Sequence, residues 1–158
     1  MADFQTQSTW IKLAFLFMDI SMVLYLYCYD ISGWATVGRA YQFCPANGGT
    51  CNSDWVVPVE VCHVIAYLCS LVCLVLMMTV VFFDEVKGDK RVLIASVVLS
   101  LLSGLLIIIG VILFRRYLTN FTYSDCVTIM TALLMIGSGI FGIVELAGNH
   151  QKKVGPKK

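Results

Sequence analysis

The chain of 158 residues is short of charge: only 13% of its side chains are Asp, Glu, Lys or Arg, and 59% are hydrophobic. A soluble globular chain carries about 25% charged residues, so a water-facing surface of ordinary composition cannot be built from it. With only 3 prolines and no low-complexity tract, the composition excludes a disordered chain. A net charge of +1 gives no electrostatic footprint for a nucleic-acid partner. The 2 histidines, His63 and His150, fall in one helix and in the tail and do not make a metal site. No C-x-x-C pair, phosphate loop or nucleophile–base arrangement occurs. The chain is therefore read as non-enzymatic, with no cofactor and no metal.

The charges fall in short clusters between long apolar runs. Four runs, roughly 10–30, 56–83, 92–114 and 126–147, meet the requirement of about 20 residues for a membrane-spanning helix. None carries a repeating water-facing stripe, and helices are the only open segments that satisfy their own backbone in lipid. The fold class expected is an all-α membrane protein: a single up-down bundle of four transmembrane helices, with outer loops at 31–55 and 115–125, an inner loop at 84–91 and a tail at 148–158. Its first partner is the lipid bilayer. Met1–Ser8 is polar and barely charged, and the run after it is too long for the apolar region of a cleaved signal peptide. The first helix is read as a signal anchor.

Orientation follows from the excess of Lys and Arg on the cytosolic side. With the N-terminus in the cytosol, the inner side holds Lys12, Lys87, Lys90, Arg91, Lys152, Lys153, Lys157 and Lys158, and the outer side Arg39, Arg115 and Arg116. Both termini are placed in the cytosol, although Arg115 and Arg116 oppose the rule locally. The same topology puts the sequon Asn120-Phe121-Thr122 on the side where glycosylation occurs, close to the membrane. It also puts Cys44 and Cys51 where disulfides persist. Trp34, Tyr41, Trp55, Tyr117 and Tyr123 gather at the outer boundary and Trp10 at the inner one, as interfacial aromatics do.

The first outer loop holds Cys44-Pro45-Ala46-Asn47-Gly48-Gly49-Thr50-Cys51. Asn-Gly-Gly is a turn signal between two short arms, and the expected unit is a hairpin closed by a Cys44–Cys51 disulfide, a constraint of about 2–3 kcal/mol on the unfolded chain. A staple fits this spacing better than an exchange-active pair, which usually uses C-x-x-C. Within the helices, Ser96, Ser100 and Gly104 repeat every four residues, and Ser138 and Gly142 do the same. Small residues at that spacing let helices approach and serine hydroxyls bond across, within one chain or between chains. Gly137-Ser138-Gly139-Ile140-Phe141-Gly142 matches G-x-G-x-x-G, but inside a membrane helix, without the preceding strand a nucleotide site needs.

Asp19 lies near the middle of the first run. An intramembrane acid is a candidate functional group by default. The competing reading is an Asp protonated or hydrogen-bonded inside the bundle, with Ser21, Thr79, Ser96 and Ser100 as suitable partners. Glu60 and His63 stand one helical turn apart near the outer end of the second run, while Asp125 opens and Glu145 closes the fourth. Cys69 and Cys73 share a helix face and are read as core. The topology allows a second disulfide between Cys28 and Cys126. The basic tail Asn149–Lys158 suits acidic headgroups at about 1 kcal/mol per Lys.

Four spans, both ends cytosolic, a cysteine pair in the first outer loop and Trp34 just after the first helix resemble the claudin superfamily. That group includes the epithelial membrane and peripheral myelin proteins and the auxiliary gamma subunits of calcium channels and glutamate receptors. The family loop carries a Trp, then Gly-Leu-Trp, two residues, a Cys, a spacer and a second Cys. Here Trp34 is followed by Gly38-Arg39-Ala40-Tyr41-Gln42-Phe43-Cys44 and then Cys51, with Tyr41 where the family places its second Trp. The resemblance implies a plasma-membrane tetraspan of cell junctions, or an accessory subunit of a channel or receptor. It would assemble with itself or with another membrane protein and present Trp34 and Tyr41 as an outer contact. A channel or transporter subunit using Asp19 is the alternative. The loop cysteine pair is also similar to that of the vitamin K epoxide reductases, but their C-x-x-C is absent, since Cys69-Ser70-Leu71-Val72-Cys73 is one residue too long.

Overall fold

A computed structural model describes residues 7–27, 56–83, 89–117 and 123–154, and every element among them is a helix: α1 (Thr9–Tyr27), α2 (Val56–Phe82), α3 (Lys90–Tyr117) and α4 (Tyr123–Val154). At a rise of about 1.5 Å per residue even α1, with 19 residues, is about 28 Å long and matches a hydrocarbon core. All four are long and apolar enough to cross a membrane, the architecture of a multi-pass membrane protein. Cys28, Trp34, Tyr41, Cys44, Cys51, Trp55 and Asn120 lie outside the described residues, and with them the expected hairpin, its disulfide and the sequon.

The helix starts follow local chemistry. Ser8 caps α1, its hydroxyl accepting the Trp10 N–H at 3.3 Å. Asp89 caps α3, its carboxylate accepting the Arg91 N–H at 2.9 Å, and Asp125 sits in the first turn of α4. Ser8 and Asp89 supply acceptors to N–H groups that have no partner in their own helix, and the Asp125 charge suits the positive end of the α4 dipole. Pro58 falls in the first turn of α2, where a missing N–H costs nothing. Helices α3 and α4 run past the apolar stretches, α3 through Arg115 and Arg116 and α4 through Lys152 and Lys153 to Val154. A hydropathy boundary marks the first charges, whereas the helical backbone continues beyond them.

α1 lies along α4, α4 along α3 and α3 along α2, while α1 meets α2 over far less of its length. The shared core is built from Ala14, Met18, Met22 and Tyr25 of α1, Ala66, Cys73 and Met77 of α2, Ile107 of α3, and Ala132 and Met135 of α4. The opposite faces carry exposed Leu, Ile and Val such as Val23, Val75, Val98 and Leu133. In lipid, helix association is driven by van der Waals packing and interhelical hydrogen bonds, so small and flexible core residues decide where the helices touch.

Candidate functional site

The seam between α3 and α4 is close-packed through glycine. A Cβ built on Gly104 would meet Ala132 O at 3.0 Å and Ile136 Cγ1 at 2.7 Å, and one on Gly142 would collide with Val97 Cγ2. Ser100 donates to Met135 O at 2.6 Å across the same seam. On the other side of α4, Ser138 donates to Ala14 O of α1 at 2.8 Å. Ser96 lies on the α2 side of α3, its hydroxyl on Leu93 O at 2.8 Å and its own carbonyl accepting the Cys73 thiol at 3.1 Å. Ser96, Ser100, Gly104, Ser138 and Gly142 are thus all packed inside this chain's own bundle. The G-x-G-x-x-G segment serves the same purpose, with Gly137 against Phe17, Gly139 against Leu101 and Gly142 against Val97.

Two ends of the bundle are tied by polar contacts. At one, Gln7 donates to Val80 O and Val81 O of α2, both at 3.3 Å, and Ser8 bonds the Glu145 carboxylate of α4. The last carbonyls of α2, which lack helical partners, are satisfied by a residue before α1. At the other end Tyr25 and His63 meet. The phenol oxygen lies 3.0 Å from His63 Nδ1 and donates to His63 O, also at 3.0 Å. The ring's other nitrogen, Nε2, faces α3. Gly110 makes room there: a Cβ would stand 2.5 Å from Nε2. Tyr67 stacks on Tyr25 at 5.9 Å between ring centroids. His63 is 2% exposed, so the imidazole is a bundle component, and Glu60 one turn earlier is exposed. Nearby in sequence to this end, Arg115 of α3 reaches Asp125 of α4 at 3.8 Å. The arginine that opposes the charge rule therefore has a counter-ion.

Asp19 stands apart from all of this. It is half-buried on α1, one turn after Phe15, whose ring meets Phe82 of α2 edge-on at 6.3 Å. The i, i+4 spacing puts both on the flank of α1 that faces α2. The four hydroxyls suited to bond it are used elsewhere: Ser21 on Met18 O, Thr79 on Leu76 O, Ser96 on Leu93 O and Ser100 on Met135 O. Among the described residues no hydrogen bond or ion pair reaches the Asp19 carboxylate. An acid at the centre of a spanning helix costs about 2.5–3.5 kcal/mol on insertion scales, and no bond among the described residues offsets it.

Cys62, Cys69, Cys73 and Cys126 are free thiols, and Cys73 is buried against α3. Among the described residues no group of three His, Cys, Asp or Glu side chains could hold a metal. Sequence reasoning missed Gln7, Ser8, Tyr25 and Gly110. The one signal for them was an isolated histidine inside an apolar run, which demands a polar partner on another helix.

Together these features define a four-span membrane protein whose polar groups mostly serve its own packing. No family model, curated protein or solved structure matches the chain.

Proposed function

We propose that the chain is a non-enzymatic tetraspan of the plasma membrane or a cell-contact membrane. It would act as a junction component or as an accessory subunit of a channel or receptor. In this reading the bundle is up-down-up-down with both termini cytosolic. The Cys44–Cys51 hairpin with Trp34 and Tyr41 forms the outer contact, and the protein works through lateral assembly with copies of itself or with another membrane protein. The observation that carries it is the use of the interior: Ser100 and Ser138 bond between helices, Gly104 and Gly142 let α3 and α4 close up, and the Tyr25–His63 pair ties α1 to α2. What remains for function is the periphery, meaning the lipid-facing flanks and the loops. The claudin resemblance of the first loop points the same way, as an analogy, because a fold does not fix a function.

The test is surface crosslinking of the tagged protein in cells, wild type beside a Cys44→Ser/Cys51→Ser double variant, with identification of what is captured. Discrete self-oligomers or receptor partners that disappear with the cysteines support the reading. A wild type that reaches the surface and crosslinks to nothing sinks it. The second reading, a channel or transporter subunit, is favoured by the unbonded Asp19 carboxylate. It predicts that Asp19→Asn abolishes flux while the cysteine variant leaves flux intact.

A further inference from the structure

On its outer side, away from the core, the seam between α1 and α2 is closed at both ends and exposed between them. On α2, Tyr67, Leu71, Val75, Met78 and Phe82 recur at helical spacing and form one row. Its first residue stacks on Tyr25 and its last meets Phe15, both on α1. Between those anchors Val75 is 61% and Met78 43% exposed. On α1 the stretch between Phe15 and Tyr25 holds Asp19, with Val23 one turn further and 66% exposed. An acid with no partner among the described residues therefore lies at mid-depth on a flank that a neighbouring helix can reach.

The charge on that flank selects its occupant. We propose that the α1–α2 seam docks a transmembrane helix of another protein carrying a Lys or Arg near the middle of its span, paired with Asp19. A second copy of this chain cannot supply that cation. Its Lys and Arg residues in the helices all lie near their ends: Lys12 in α1, Lys90, Arg91, Arg115 and Arg116 in α3, and Lys152 and Lys153 in α4, with none in α2. The small-residue faces that would otherwise serve helix association are used internally, so Asp19 is the feature that distinguishes this flank from plain lipid-facing surface. A cation at matching depth neutralises the carboxylate where water cannot, and apolar residues above and below it pack on Val23, Val75 and Met78. This assignment rests on the lateral-assembly reading and names its partner class.

The test reconstitutes the full-length chain in phosphatidylcholine vesicles with a fluorescent single-span probe, a Leu/Ala helix bearing one central Lys, and reads energy transfer. The control probe has Leu in place of the Lys. The expected result is association of the Lys probe roughly ten-fold tighter than the Leu probe. Asp19→Asn should abolish the difference and Asp19→Glu should keep it. Asp19→Asn/Val98→Asp, which moves the acid to the exposed face of α3, should not restore it. Equal binding of the two probes to the wild type overturns the assignment, and that comparison needs no variant. So does a preference that survives Asp19→Asn, one that the Val98→Asp carboxylate restores, or an Asp19-dependent pairing of two copies of this chain. If cell-surface crosslinking captures partners while both probes bind alike, the seam assignment alone falls. If crosslinking captures nothing while the Lys probe binds through Asp19, the seam stands and the broader reading falls.

Discussion

The α3–α4 and α1–α2 seams are built on opposite plans. Between α3 and α4, glycines remove side chains so that backbones approach, and Ser100 bonds across to Met135 O. Between α1 and α2, contact covers far less length; besides the shared core beneath, the ties are Gln7 with Val80 and Val81, Phe15 with Phe82, and Tyr25 with His63 and Tyr67. The only acid within α1, Asp19, lies between these points without a bond among the described residues. One seam spends its polar groups on the fold, and the other keeps one for something outside the chain. The sharpest way to break this contrast is a matched pair of enlargements. Gly104→Leu drives a side chain into Ala132 O and Ile136 and should cost about 3 kcal/mol, read as the shift in an SDS-titration unfolding curve. Val75→Phe on the open seam should stay within about 0.5 kcal/mol. Equal costs would mean that the two seams are packed alike.

Tyr25→Phe probes the end of the α1–α2 seam that is closed by the phenol on His63. It removes the phenol from His63 O and Nδ1, two buried groups, and should cost about 1–3 kcal/mol in the same unfolding measurement. A cost near zero would show that His63 holds its position without α1. Ser138→Ala, which deletes the bond to Ala14 O on the α1–α4 seam, should cost less, about 0.6 kcal/mol. Polar contacts in membranes are worth little because the unfolded chain also finds partners there. A loss as large as that of Tyr25→Phe would place Ser138 among the main ties of the bundle.

The legibility of these features in the sequence divides along the same line. Four apolar runs of spanning length set the four helices, and the four-residue spacing of Ser96, Ser100 and Gly104 marks close packing in the sequence itself. What could not be read was which helix each face meets. In a soluble helix the polar stripe points away from the core. Here both sides of α1 are apolar, so nothing in the run Thr9–Tyr27 marks the side that receives the Ser138 hydroxyl from 124 positions away or the side that Asp19 occupies. Gly110 was equally silent, because its role depends on a ring from α2. The expected hairpin around Cys44 and Cys51 rests on turn chemistry and falls outside the described residues.

The smallest effect is the most discriminating. Asp19→Leu removes a carboxylate that makes no bond within the described chain, so the folded bundle loses no interaction. The cost of holding an acid in hydrocarbon is carried by the folded and the membrane-inserted unfolded chain alike and largely cancels in an unfolding measurement. The expected change in unfolding free energy is therefore under about 0.5 kcal/mol, with either no shift or a slight gain, while binding of the Lys-bearing probe helix is lost. A destabilisation as large as that of Tyr25→Phe would place Asp19 in the chain's own hydrogen-bond network, and the distinction between a seam that closes the fold and a seam that waits for a partner would disappear.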